Sequence, residues 1–138
     1  MTILQFAASY LLTTVVFFAI DMLWLGVVAK NFYFSNLGDL LRSPPNWTAA
    51  IIFYLVFIVG IFLFAILPAL ERQSLQHAIV YGALFGFFTY ATYDFTNLAT
   101  LKGWPLNVVI VDVLWGTILT GTVATAGYFI GRWISHTL

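Results

Sequence analysis

Of the chain's 138 residues, 62% are hydrophobic and only 7% are charged, and the mean hydropathy is +1.00, so it lacks the solvated surface that a water-soluble domain of this size needs. Five basic and five acidic side chains cancel, which excludes a basic field for nucleic acid and a polybasic anchor for anionic lipid. The absence of cysteine excludes disulfides, thiolate metal sites and cysteine nucleophiles, and the lipid bilayer becomes the expected solvent.

A helix that crosses the roughly 30 Å of hydrocarbon takes roughly 20 mostly apolar residues, and four stretches qualify. The first, over about residues 3–29, holds Asp21 as its one ionisable side chain. No Lys or Arg precedes it and it exceeds a signal core, so it reads as a span rather than a cleaved leader. In the connection over residues 30–46, Phe34, Leu37, Leu40 and Leu41 recur at helical spacing before Pro44-Pro45, which predicts a short helix lying in the interface. The second span, about 47–70, has no ionisable residue and is expected to be the most lipid-exposed. A tight polar turn leads to the third, about 75–101, which carries His77 and Asp94, and Lys102-Gly103-Trp104-Pro105 turns into the fourth, about 106–134, with Asp112 and Arg132. Short connections imply antiparallel neighbours. The expected fold is therefore an all-α, four-helix antiparallel transmembrane bundle forming a single domain over residues 1–138, with the interfacial helix between spans one and two. Gly82/Gly86 and Gly127/Gly131 pair at helical spacing, which suits tight packing inside the chain and also permits a homodimer.

The informative residues are Asp21, Asp94 and Asp112. Asp21 lies nine residues before Lys30, Asp94 eight before Lys102, and Asp112 seven after Pro105. At about 1.5 Å per residue, each sits roughly 10–14 Å from the same membrane edge. An unpaired ionised Asp at the centre of a span costs about 3 kcal/mol, which favours placing all three on facing surfaces of spans one, three and four. Asp21-x-x-Trp24 and Asp112-x-x-Trp115 set acid and indole on one helix face, and Tyr90, Tyr93, Thr96 and Asn97 make the surroundings of Asp94 unusually polar. Trp24, Trp47, Trp104 and Tyr33 are placed to form an aromatic belt at the acidic end.

The stretch from Ala91 through Tyr93, Asp94, Asn97 and Lys102 to Trp104-Pro105 is distinctive. Together with Ile20-Asp21-Met22-Leu23-Trp24-Leu25-Gly26 and Val111-Asp112-Val113-Leu114-Trp115-Gly116, it resembles a family of small bacterial inner-membrane proteins, domain of unknown function 2177, over nearly the whole chain. The resemblance implies a bacterial cytoplasmic-membrane location and carries no activity with it.

Three functions fit this pattern. The leading one is an intramembrane site that binds or passes a small cation or proton-linked solute. Its ligand-binding residues would be Asp21, Trp24, Tyr90, Tyr93, Asp94, Thr96, Asn97, Lys102, Trp104, Asp112 and Trp115, and oxygen donors of this kind suit hard ions rather than zinc or copper. The second is a non-catalytic assembly or regulatory subunit whose polar residues hold helices together. The third is a lipid-modifying enzyme or its accessory, with paired carboxylates as acid and base and Lys102 at a phosphate headgroup. The chain has no nucleophile motif and no histidine cluster, so catalysis is not the expectation, and no cofactor or particular metal is indicated.

Overall fold

The computed structural model describes residues 1–138 as helices joined by short turns, with no strand. In chain order, α1 is Ile3–Val28, α2 Lys30–Leu37, α3 Trp47–Arg72, α4 Leu75–Thr100 and α5 Leu106–Thr137. The boundaries follow local chemistry. Thr2 and Gln5 cap the start of α1 reciprocally, each side chain meeting the other's backbone N–H at 3.1 and 2.9 Å. Asn46 and Ser74 do the same for α3 and α4, accepting from Ala49 N–H at 3.2 Å and His77 N–H at 3.1 Å. Gly103 takes φ +76° in the turn before α5, a backbone region that penalises any side chain. Both α1 and α3 contain a π turn, Trp24–Val28 and Phe62–Ile66. The turn in α3 runs directly into the segment holding Pro68, whose missing N–H an unbroken α-helical ladder would leave as a gap.

Helices α1, α3 and α5 are long and apolar enough to cross a membrane. Helix α4 spans the range expected of it, but its Thr, Tyr, Asp and Asn residues leave it less apolar than the other three. Of the four expected spans, length and apolarity therefore single out three. Much of the exterior of the long helices is hydrocarbon-like: Leu11, Val15, Val56, Phe88 and Ile118 all point away from the protein. A surface of this kind is stable in lipid and not in water.

Helix α5 lies at the centre, with half of its apolar stretch buried. Phe17 of α1, Phe57, Ile58, Ile61, Phe62, Ala65 and Ile66 of α3, and Leu119, Val123 and Ala124 of α5 form the main core. The expectation that the second span would be the most lipid-exposed is thereby corrected. A third of the apolar stretch of α3 is buried (33%), against 17% for α1. The physical reason is that lipid and protein interior are equally apolar, so a lack of ionisable residues does not tell which way a helix faces. Glycine brings α4 onto α5. A Cβ on Gly86 would overlap the Gly116 carbonyl and the Thr120 side chain, and one on Gly82 would meet Ala124. Gly127 receives Ile66 of α3 and Gly131 receives Leu70. Both glycine pairs are thus engaged within the chain, and a homodimer draws no support from them.

Candidate functional site

Helices α1, α4 and α5 bring their acids to one end of the protein, where α2 folds across them. Asp21, 3% exposed, sits one turn before the π turn of α1. Its partner is not the indole of its own motif. Trp115 of α5 donates its Nε1–H to Asp21 Oδ1 at 3.2 Å, and the Tyr54 hydroxyl of α3 lies beside the same carboxyl. Trp24, at the start of the π turn, stacks on Trp115 with ring centres 4.2 Å apart and planes 7° from parallel. Trp24 Nε1–H then donates to the Tyr33 hydroxyl at 3.2 Å, and Tyr33 donates to Asp112 Oδ1 at 2.8 Å. Each Asp-x-x-Trp motif thus serves the acid of the other one: Trp115 holds Asp21 directly, and Trp24 holds Asp112 through a phenol. Acid and indole share one helix face in each motif, while the hydrogen bonds run across two helices. Helical spacing fixes the side of the helix that an indole occupies, whereas the partner it reaches depends on packing.

Tyr33 reaches the acids because α2 is tied down. Asn107 of α5 donates to Asn36 Oδ1 at 2.6 Å, and Leu37 is buried. Burial, and next the neighbouring Asp112 charge, push the Tyr33 phenol well above its ordinary value, so it remains a donor to that carboxylate. The expected aromatic belt is corrected accordingly: Trp24, Tyr33 and Trp104 turn toward the acids, and only Trp47 stands well exposed.

Asp94 is fully buried on α4, and both of its oxygens lack a hydrogen-bond partner. The nearest polar groups are the Asp112 carboxyl and the indole N–H of Trp104, which is likewise buried without a partner. The three face one another without a settled donor–acceptor contact. Tyr93 packs edge-on to Trp104 at 5.9 Å, and Asn97 lies beside Tyr93. Tyr90 occupies the space left open at Gly116, where a Cβ would overlap its ring. Thr96 and Lys102 are exposed and are not among the groups acting on Asp94. The site thus gathers nine of the eleven residues expected from sequence and leaves these two outside. No lysine or arginine is among the groups acting on Asp21 or Asp94.

Between α3 and α4 a cavity of about 330 Å³ leads to Asp112, walled by Phe53, Tyr54, Phe57, Tyr90 and Tyr93. Its rim residues Phe53 and Tyr93 are about half exposed on the flank of the protein. Sequence reasoning missed the α3 contribution to this site, Tyr54 above all. A signal was available: Tyr54 is the one hydroxyl between Ala49 and Leu70.

The acids do not converge as a metal centre, since no three of the Asp, Glu and His side chains are grouped to hold one ion. Two carboxyls facing each other beside an unpaired indole N–H can instead share a proton or accept one positive charge. A family model described as a predicted membrane protein, domain of unknown function 2177, matches residues 6–129. The chain belongs to that family. It is a membrane protein, as both the family description and the three long apolar helices require. No curated protein and no solved structure matches it.

Proposed function

We propose that this member of the domain of unknown function 2177 family is a multi-pass protein of the bacterial cytoplasmic membrane, a four-span bundle with α2 at the interface, whose carboxylate-centred site binds a small cation or carries a proton. One observation carries the reading: Asp94 is fully buried beside Asp112, with both oxygens unpartnered and no cationic side chain acting on it. An ionised carboxyl buried in a low-dielectric setting costs several kcal/mol, so the pair Asp94 and Asp112 favours holding one proton or one cation between them. Asp94 and Tyr90 of α4 turn toward α5 instead of lipid, which supports counting this helix as a span alongside the other three.

The test is thermal unfolding in nanodiscs across Na⁺, K⁺ and Mg²⁺ series and between about pH 5 and pH 8. A bound cation or proton stabilises the folded form by about 2.7 kcal/mol when its concentration is about 100 times its dissociation constant. The wild type is expected to respond to one of these ions in saturable fashion, and Asp94→Asn to fold but lose the response. An unresponsive wild type, or an Asp94→Asn variant that responds equally, refutes the reading. A second reading, a non-catalytic subunit, draws on the hydrogen bonds that already engage Asp21 and Asp112. It predicts that Asp94→Asn shifts stability by the same amount under every condition. The lipid-enzyme reading draws on no contact of this kind, since Lys102 stands apart from the acids.

A further inference from the structure

The cavity between α3 and α4 has an unusual wall for an inorganic ion. Five aromatic rings face one carboxylate, and no Lys, Arg or His is present. Thr89, the remaining lining residue, turns its hydroxyl to its own helix, donating to Phe85 and Gly86 carbonyls at 2.7 and 3.2 Å. Hard metal ions take about six or more oxygen ligands, whereas with Thr89 turned away this lining offers the Asp112 carboxyl and the Tyr54, Tyr90 and Tyr93 hydroxyls. An anionic amphiphile would meet Asp112 with no counter-charge. The volume of about 330 Å³ lies at the lower end of cavities that hold small organic molecules and far exceeds one dehydrated ion.

We propose that this cavity binds an organic monocation, a substituted ammonium carrying apolar groups, with its charge set against Asp112 and its substituents against the rings. The inference rests on the carboxylate-centred site proposed above and names its ligand class. Ring faces carry negative potential and attract an ammonium within about 6 Å, most strongly where water is excluded. The rings are held by one another: Phe53 stacks on Phe57 at 5.5 Å, and Phe57 meets Tyr90 edge-on at 6.1 Å. Tyr33 engages Asp112 Oδ1 from α2 and Asp94 lies beside the same carboxyl, so the acid is held in place where it lines the cavity. Half-exposed Phe53 and Tyr93 at the rim open the path to the flank of the helices, so an amphiphilic ammonium enters from the bilayer with its apolar part already in hydrocarbon.

The experiment is equilibrium binding of tritiated benzyltrimethylammonium to the full chain in nanodiscs, with neutral neopentylbenzene, its carbon isostere, as competitor. Wild-type protein is expected to bind the cation saturably, Asp112→Asn to weaken binding at least about tenfold, and neopentylbenzene not to compete. Because Asp112→Asn also disturbs Tyr33, Phe53→Leu at the exposed rim provides a second reading. It removes one ring face without touching the acids and is expected to weaken binding about three- to tenfold. Absence of saturable binding, wild-type affinity in both variants, or competition by the neutral isostere at equal concentration overturns the proposal. Measuring the Asp94-dependent response to inorganic ions and pH in the same discs separates the two claims. If that response survives while benzyltrimethylammonium fails to bind, only the organic ligand is wrong. If both are missing, the carboxylate site itself falls.

Discussion

Replacing Trp115 by Phe tests the crossed pairing of the two Asp-x-x-Trp motifs. Phe keeps an aromatic ring against Trp24 but removes the N–H that reaches Asp21 Oδ1 at 3.2 Å. Asp21 is 3% exposed, so the lost bond is not replaced by water. A neutral buried hydrogen bond contributes about 0.5–1.5 kcal/mol and one to a charged group about 1.5–3 kcal/mol. The weakened stack adds about 0.5–1.5 kcal/mol, which places the single variant between about 1 and 4.5 kcal/mol less stable than wild type. The stacking part is removed by a double-mutant cycle with Asp21→Leu, which deletes the acceptor at similar volume. There, Trp115→Phe no longer breaks a hydrogen bond and sheds an unpaired N–H, so the coupling energy is expected at about 1–3 kcal/mol. Equilibrium unfolding of the four proteins in mixed micelles, followed by helicity, gives the number. Additivity within about 0.5 kcal/mol refutes the crossed pairing.

Two further outcomes follow from the packing. Gly86→Ala forces its methyl into the Gly116 carbonyl and Thr120, and is expected to cost about 1–3 kcal/mol by parting α4 from α5, whereas Gly26→Ala, with nothing near its Cβ, is expected to be neutral or slightly stabilising; equal effects in thermal unfolding would contradict the close approach. Tyr33→Phe removes the donor to Asp112 and is expected to speed amide exchange in α2 while leaving α3 unchanged, so unaltered exchange in α2 would show that this bond does not hold the helix down.

Helix extents were legible because apolar runs of spanning length are separated by polar or proline-containing connections. The structure starts these helices at Ile3, Trp47, Leu75 and Leu106, where Thr2, Asn46 and Ser74 cap the first three. The gathering of Asp21, Asp94 and Asp112 was legible too, since similar distances from the connections put them near one level and lipid gives an acid no outward option. Which groups they meet was not. The two motifs look self-sufficient in sequence, and only the placement of α1 beside α5 decides that Trp115 finds Asp21. Tyr33 resembles an interfacial anchor until Asn36 and Asn107 pin α2 over the acids. Helix α3 was hardest to read, because a uniformly apolar helix carries no stripe to show its inner face, and Tyr54, the one hydroxyl between Ala49 and Leu70, was the sole mark of that face.

The cavity mouth at the half-exposed Phe53 and Tyr93 lies between α3 and α4, and in the proposed bilayer arrangement it opens toward lipid. The concentration that governs occupancy is therefore that of the ligand dissolved in the membrane, which bulk measurements understate for any hydrophobic compound. Each additional methylene shifts partition into hydrocarbon by about 0.8 kcal/mol, close to fourfold. Along a series of lengthening alkyl chains, apparent affinity climbs through partition alone, with every contact inside the protein unchanged. Selectivity among such compounds is thus set jointly by the protein and by the lipid around it, and the same chain presents a different preference in membranes of different composition.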